Sequence, residues 1–188
     1  MKKRIVSIVN GLIGPFGAKV VGRDDGSADL NMPAMIRRLA SRDISVRTIV
    51  DIGASNGKWS IACLPYFPDA AFLAVEPLEE RRPALEAAQS RYANFDYALC
   101  VAGEVDGGEV RLNVTDDLDG STVDGRNPGV VRACCVRTID SLLAEKKMPG
   151  PYLLKFDTHG YEIPILAGCR ETLKNTAAII METYNFQL

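Results

Sequence analysis

The chain has 188 residues, 47% of them hydrophobic and 24% charged, enough for one globular domain with a single sizeable core. Its formal charge of −2, from 22 basic and 24 acidic side chains, lacks the basic excess that phosphate-backbone binding demands, so no nucleic-acid partner is expected. The five cysteines are odd in number, form no CxxC pair and have only His159 as an imidazole companion, which excludes a disulfide framework and a zinc site; no metal is expected.

Most of those cysteines lie in apolar runs, where free thiols behave as small core residues, and this points to a reducing, cytoplasmic setting. The amino-terminal MKKRIVSIVNGLIGPFGAKVVGR joins a basic tip to an apolar stretch that is too short to cross a bilayer. Asn10, Gly11, Gly14 and Pro15 interrupt it, so it reads as an amphipathic surface segment that makes weak contact with the inner membrane face rather than as an export signal. A helical pattern follows from about Met32 to Arg42, and residues 1–46 are read as an amphipathic, helical segment ahead of the main domain, 47–188.

From Arg47 onward, near-continuous apolar runs alternate with helix-type segments. The runs are TIVDIGA, AFLAVEP, FDYALCVAG, YLLKFDT and AAIIMETY; the helices are expected over about 57–64, 82–92, 138–146 and 162–173. Runs of this kind are strands buried on both faces, and their alternation with helices predicts right-handed βαβ units. The fold expected is α/β, a Rossmann-like three-layer sandwich around a mostly parallel sheet. Residues 104–130 break the rhythm with a strand-like GEVRLNVT and a polar DDLDGSTVDGRNPG, read as a hairpin and a solvated loop. Calcium does not fit there: with Gly120 sixth in an EF-hand loop, Thr115 falls first and Arg126 twelfth, where carboxylates are required.

The chemistry concentrates at two strand ends. TIVDIGASNGKWS is a buried strand ending in Asp51, then a loop with Gly53, Ala54, Asn56 and Gly57 that opens a helix; ligands of open α/β sheets bind at such a place. Gly53 permits a tight turn and Gly57 opens a helix whose amides favour an anion. The second strand ends in Glu76, close to the spacing of a ribose-binding acid, so Asp51, Gly53, Ala54, Asn56, Gly57 and Glu76 are the candidate cofactor residues. The loop is not GxGxxG and the P-loop lysine is absent, which disfavours NAD and nucleoside triphosphates.

At the end of the fourth predicted strand stands Asp157, with Lys155 two residues earlier on the same face, where it would keep that carboxylate ionised. His159 has two readings, a general base or acceptor ligand, and a loop histidine packed beside Gly160. Glu162 is open between substrate contact and an anion at the next helix's amino end. Glu182 closes the fifth strand as a secondary candidate. Ser121 and Thr122 are read either as hydroxyls that orient an acceptor or as a simple turn, and Trp59 as a packing residue near the pocket.

Four segments carry a resemblance: VDIGASNGKWS, AVEP, VRTIDSLL and above all LLKFDTHGYEIPILAG are similar to the FkbM-type family of S-adenosylmethionine-dependent methyltransferases, over about residues 47–188. The resemblance implies S-adenosylmethionine as cofactor and methyl transfer to an oxygen, often a sugar or polyketide-type hydroxyl. It implies that Asp51, Gly53, Gly57 and Glu76 hold the cofactor, that Asp157 in the most distinctive block stands opposite the cofactor's methyl group, and that Ser121 and Thr122 belong to a segment on the substrate side. The family's sheet has two further strands after the fifth, whereas this sequence ends at Leu188. The expectation is therefore a carboxyl-terminally truncated domain whose open edge is covered by a second copy, in a homo-oligomer, or by the amino-terminal segment. Two rivals follow: a non-catalytic cofactor-binding remnant acting as a scaffold, and an NAD-dependent oxidoreductase, against which the missing third glycine argues.

Overall fold

The computed structural model describes residues 32–42, 44–123 and 129–181. The chain divides between Leu39 and Ala40. Helix α1 (Met32–Ala40) lies where the periodicity predicts it. The second unit runs β1 (Thr48–Ile52), α2 (Lys58–Cys63), β2 (Ala71–Glu76), a 3-10 turn (Glu79–Arg81), α3 (Arg82–Arg91), β3 (Phe95–Leu99), β4 (Val101–Ala102), β5 (Glu109–Val114) and β6 (Val130–Arg137). It continues through α4 (Ile139–Glu145), β7 (Tyr152–Phe156), α5 (Glu162–Ala167), α6 (Arg170–Leu173) and β8 (Thr176–Met181). The apolar amino-terminal stretch and Glu182 lie outside the described residues, and none of the described helices is long and apolar enough to cross a membrane.

Five strands form one parallel sheet in the order β3-β2-β1-β7-β8. Every residue of β1 is buried, as the unbroken apolar run requires of a central strand covered on both faces. Alternation divides the sheet's core: Val50, Ile52, Leu73, Val75, Leu154 and Phe156 join Ile139, Leu142, Leu143, Ile165 and Cys169 of the α4–α6 side. Ile49, Phe72 and Leu153 point the other way and are equally buried. The register sets Asp51 beside Lys155 and Ile52 beside Phe156, so both strands end at one level and their following loops meet there.

Three sequence expectations change. The run FDYALCVAG is two strands, because β4 leaves the parallel sheet after Cys100 and pairs with β6 in a second sheet of order β4-β6-β5. Strand β6 carries no strand signal in the sequence: its first four residues are exposed, and its two arginines and paired cysteines mask any alternation. It is the partner of GEVRLNVT, pairing antiparallel from Glu109↔Cys135 to Val114↔Val130, so the hairpin reaches beyond residue 130. Lastly, the single helix expected over 162–173 is broken at Gly168 and Cys169. The Asp140 N–H donates to the Gly168 carbonyl (3.2 Å), and the Asp140 carboxylate accepts from the N–H groups of Glu171 (2.9 Å) and Thr172 (2.8 Å), capping a fresh helix start.

Candidate active site

The carboxyl ends of β1, β2 and β7 open on a cavity of about 560 Å³. Its wall includes Gly53, Ser55 and Asn56 after β1, Glu76 and Leu78 after β2, and Asp157, His159 and Tyr161 after β7. Cys100 and Val101 add an apolar side. This is the crevice in which open α/β sheets bind ligands.

The loop after β1 is stitched to both neighbouring strands. Gly53 and Ala54 donate their N–H groups to the Val75 carbonyl (3.0 and 3.1 Å), and Asp157 donates its own to the Ile52 carbonyl (3.0 Å). Gly53 has φ +75°, and a Cβ there would stand 2.0 Å from the Asp157 carbonyl oxygen, so β1 and β7 meet too closely for any side chain. Gly57, also at φ +75°, opens α2 above Leu85 and Phe95.

Glu76 is 5% exposed and lines the cavity. Its Oε2 accepts from the Ser55 N–H (2.8 Å) and its Oε1 from the Leu78 N–H (3.0 Å), which leaves lone pairs on both oxygens for donors in the cavity. Burial pushes this carboxyl above the usual carboxylate range, against the pull of those two bonds and of Arg81. A buried acceptor-only group flanked by Leu78, Cys100 and Val101 suits a ribonucleoside, whose hydroxyls donate and whose planar base prefers apolar walls.

Asp51, by contrast, is fully buried and does not reach the cavity. It accepts a hydrogen bond from Ser60 Oγ (2.8 Å) and pairs with Lys155 Nζ at 2.9 Å. Lys155 Nζ also donates to the Gly53 carbonyl (3.0 Å), lies 3.3 Å from Asp157 Oδ2, and sits 5.9 Å from the centre of the buried Trp59 ring. Burial pushes the Asp51 carboxyl upward against the opposing pull of Lys155; burial alone would lower the Lys155 ammonium, but Asp51 and Asp157 together raise it. Asp51 and Lys155 thus hold the loop and Asp157 in place from beneath.

Asp157 and His159 both line the cavity, with His159 Nε2 3.6 Å from Asp157 Oδ1. His159 has φ +52°, a left-handed backbone rare outside glycine, and Gly160 follows at φ +102°. Glu162 accepts from Thr158 Oγ1 (3.1 Å) and from the Gly160 N–H (3.0 Å), so it braces this turn and is not among the cavity-lining residues. Ser121 lines the cavity but donates its hydroxyl to the Leu118 carbonyl (2.7 Å). Thr122 is buried outside the wall, its backbone bridging Asn113. Asn56 lines the wall, whereas Ala54, Gly57 and Lys155 support it from behind.

Sequence reasoning missed Arg81 and Asp119. Both line the cavity and pair with each other, and Asp119 Oδ1 accepts from Ser55 Oγ (2.9 Å). Neither position carries a local signal: EER reads as a helix's exposed start, and DDLDG as a solvated turn.

Replacing Lys155 by methionine leaves the Asp51 carboxylate buried without its counter-charge and should cost about 3 kcal/mol. A carboxyl raised in the folded state contributes stability at low pH that is lost as pH rises through its folded value. Urea unfolding of this variant should therefore show a deficit that widens as pH rises above the ordinary carboxylate range.

Residues 51–187 match the family model described as the methyltransferase FkbM domain. No curated protein matches the chain. Among solved structures, methyltransferase FkbM from Methylobacillus flagellatus KT is 20% identical with a TM-score of 0.49, over 72% of this chain and 32% of that one. A Staphylococcus aureus protein provisionally named a caffeoyl-CoA O-methyltransferase is 14% identical with a TM-score of 0.31, over 50% of this chain and 43% of that one. The chain thus spans about a third of the first structure's length and under half of the second's. With its family match running from Asp51 to near the last residue, across every loop that lines the cavity, the chain belongs to the FkbM methyltransferase family.

Proposed function

We propose that this chain binds S-adenosylmethionine in the cavity between the ends of β1, β2 and β7 and transfers its methyl group to a hydroxyl of a sugar or other small natural-product acceptor. The observation that carries the reading is Glu76: a buried carboxylate with free lone pairs, open to the cavity beside apolar walls, in a member of a methyltransferase family. Glu76 would accept from the ribose hydroxyls, the Gly53–Gly57 loop would approach the amino-acid end, and Leu78, Cys100 and Val101 would face the base.

When bound, S-adenosylmethionine supplies a sulfonium methyl group that is already electrophilic. What remains for the protein is to align the acceptor, exclude water and take up a proton. Asp157 and His159 stand together on the cavity wall opposite Glu76's strand end, and Lys155 anchors Asp157 from below. In this reading they receive the hydroxyl proton, with Asp157 as the base or as the group that orients His159. The left-handed backbone of His159 on the cavity wall supports an assignment to the site, because such conformations cluster at active sites.

The test pairs calorimetric titration with S-adenosylmethionine and transfer of a tritiated methyl group into a panel of sugars, glycosides and polyketide-type alcohols. Micromolar binding with label in a hydroxyl-bearing product is the expected result. Binding with no transfer to any acceptor would favour the non-catalytic scaffold, and NADH binding without competition by S-adenosylmethionine would overturn the cofactor.

A further inference from the structure

Residues 115–123 leave β5 and return along the cavity, to which Leu118, Asp119, Ser121 and Val123 contribute. The segment is braced internally. Asp117 Oδ1 accepts from Thr115 Oγ1 (2.6 Å) and from the Gly120 N–H (3.1 Å), the Thr115 N–H donates to Ser121 Oγ (3.2 Å), and the Asn113 and Thr122 backbones exchange two hydrogen bonds. Below it, Leu118 and Val123 pack on a small buried cluster of Leu78, Leu112 and Val114. The product is a short, self-supporting strap with Asp119 near its tip.

One oxygen of Asp119 reaches back to two parts of the cofactor cavity. Asp119 Oδ1 accepts from Ser55 Oγ (2.9 Å), and Ser55 is the residue whose own N–H donates to Glu76. The same oxygen pairs with Arg81, which also lines the cavity and whose charge opposes the upward push of burial on the Glu76 carboxyl. An exposed ion pair on its own contributes little, and Asp119 is 69% exposed. This pair differs because the Arg81 side chain is only 17% exposed and because the carboxylate joins three separate segments: the strap, the loop after β1 and the turn after β2.

Closure also has a cost. Arg81 Nε is buried with no acceptor, and Leu118, next to Asp119, adopts φ +65°. Lifting the strap away from Arg81 would open that N–H to water.

We infer that Asp119 is a positioning residue of the cofactor site: it fastens the strap of residues 115–123 across the cavity through Ser55 and Arg81, so that ligand release and release of the strap are one event. This rests on the reading of the cavity as the S-adenosylmethionine site. Asp119 acts through Ser55, Arg81 and the wall that the strap completes.

The probe is S-adenosylhomocysteine, with affinity from calorimetry and rates from surface plasmon resonance on the full chain. Absence of binding to the unmodified chain would sink the cofactor reading itself. Given binding, Asp119→Asn should dissociate roughly tenfold faster with association changed less than about threefold, since a lost closing contact acts on the off-rate. Hydrogen exchange over 115–123 should be slowed by the ligand in the unmodified chain and not in the variant, a difference that a general loss of stability would not produce. Ser55→Ala should move the off-rate in the same direction and carries the test if Asp119→Asn does not fold. Arg81→Gln with Asp119→Asn together should fall short of the sum of the two single effects, because the ion pair they share is lost only once. Dissociation and exchange unchanged in both Asp119→Asn and Ser55→Ala would overturn the inference.

Discussion

Replacing Glu76 by alanine is expected to weaken S-adenosylhomocysteine binding roughly a hundredfold or more in calorimetry. Hydrogen bonds to a charged acceptor contribute about 1.5–3 kcal/mol each, and a ribose offers Glu76 two donors. Alanine also orphans the N–H groups of Ser55 and Leu78, so part of its effect passes through the loop. Glu76→Gln separates the two: its carbonyl still accepts one of those bonds while the charge is gone. Its affinity should fall roughly tenfold, with apo stability within about 1 kcal/mol of the unmodified chain, because removing a buried charge offsets the lost bond.

Acidity supplies an independent check. Burial raises the Glu76 carboxyl in the ligand-free chain, and hydroxyl donors that favour the ionised form bring it down in the complex. Affinity is then complete above the ligand-free value and falls as pH drops through it. The unmodified chain should bind more weakly in mildly acidic than in neutral buffer, whereas Glu76→Gln should show no such slope. A flat profile in the unmodified chain would remove Glu76 from the ligand's contacts.

Much of this site is visible in the sequence because its parts are local. TIVDIGA, AFLAVEP and YLLKFDT are buried strands whose last residues must emerge at one end of a parallel sheet, so Glu76 and Asp157 can be set on the same rim without coordinates. What a strand pattern leaves open is the direction each polar group faces once the strands are in register. Asp51 looks as much like a cofactor ligand as Glu76 does, yet Lys155 and Ser60 enclose it, an outcome decided by the pairing of Asp51 with Lys155 across 104 positions of sequence. Asp119 shows the converse. Its neighbours say solvated turn, and only the β5–β6 hairpin, whose second strand lacks alternation, carries it back to Ser55 and Arg81. The break at Gly168 has the same origin, since the group that caps α6 comes from Asp140 on another helix.

The second large effect concerns proton uptake. Asp157→Asn keeps the shape of the side chain, its place above Lys155 and its neighbour His159, while removing the charge. Turnover should drop roughly 10²–10⁴-fold, the range over which a positioned acid or base accelerates a reaction. Affinity for S-adenosylhomocysteine should stay within about threefold, because Glu76 and the loop after β1 are untouched. His159→Asn then divides the labour. If Asp157 orients an imidazole that takes the proton, each single variant falls as far as the double, as residues acting in one unit do. If Asp157 is itself the base, His159→Asn retains most of the turnover and Asp157→Asn does not. Equal loss of turnover and of cofactor affinity in Asp157→Asn would instead place this carboxylate in the binding of the cofactor, and the 3.3 Å approach of Lys155 would then be a brace for that grip.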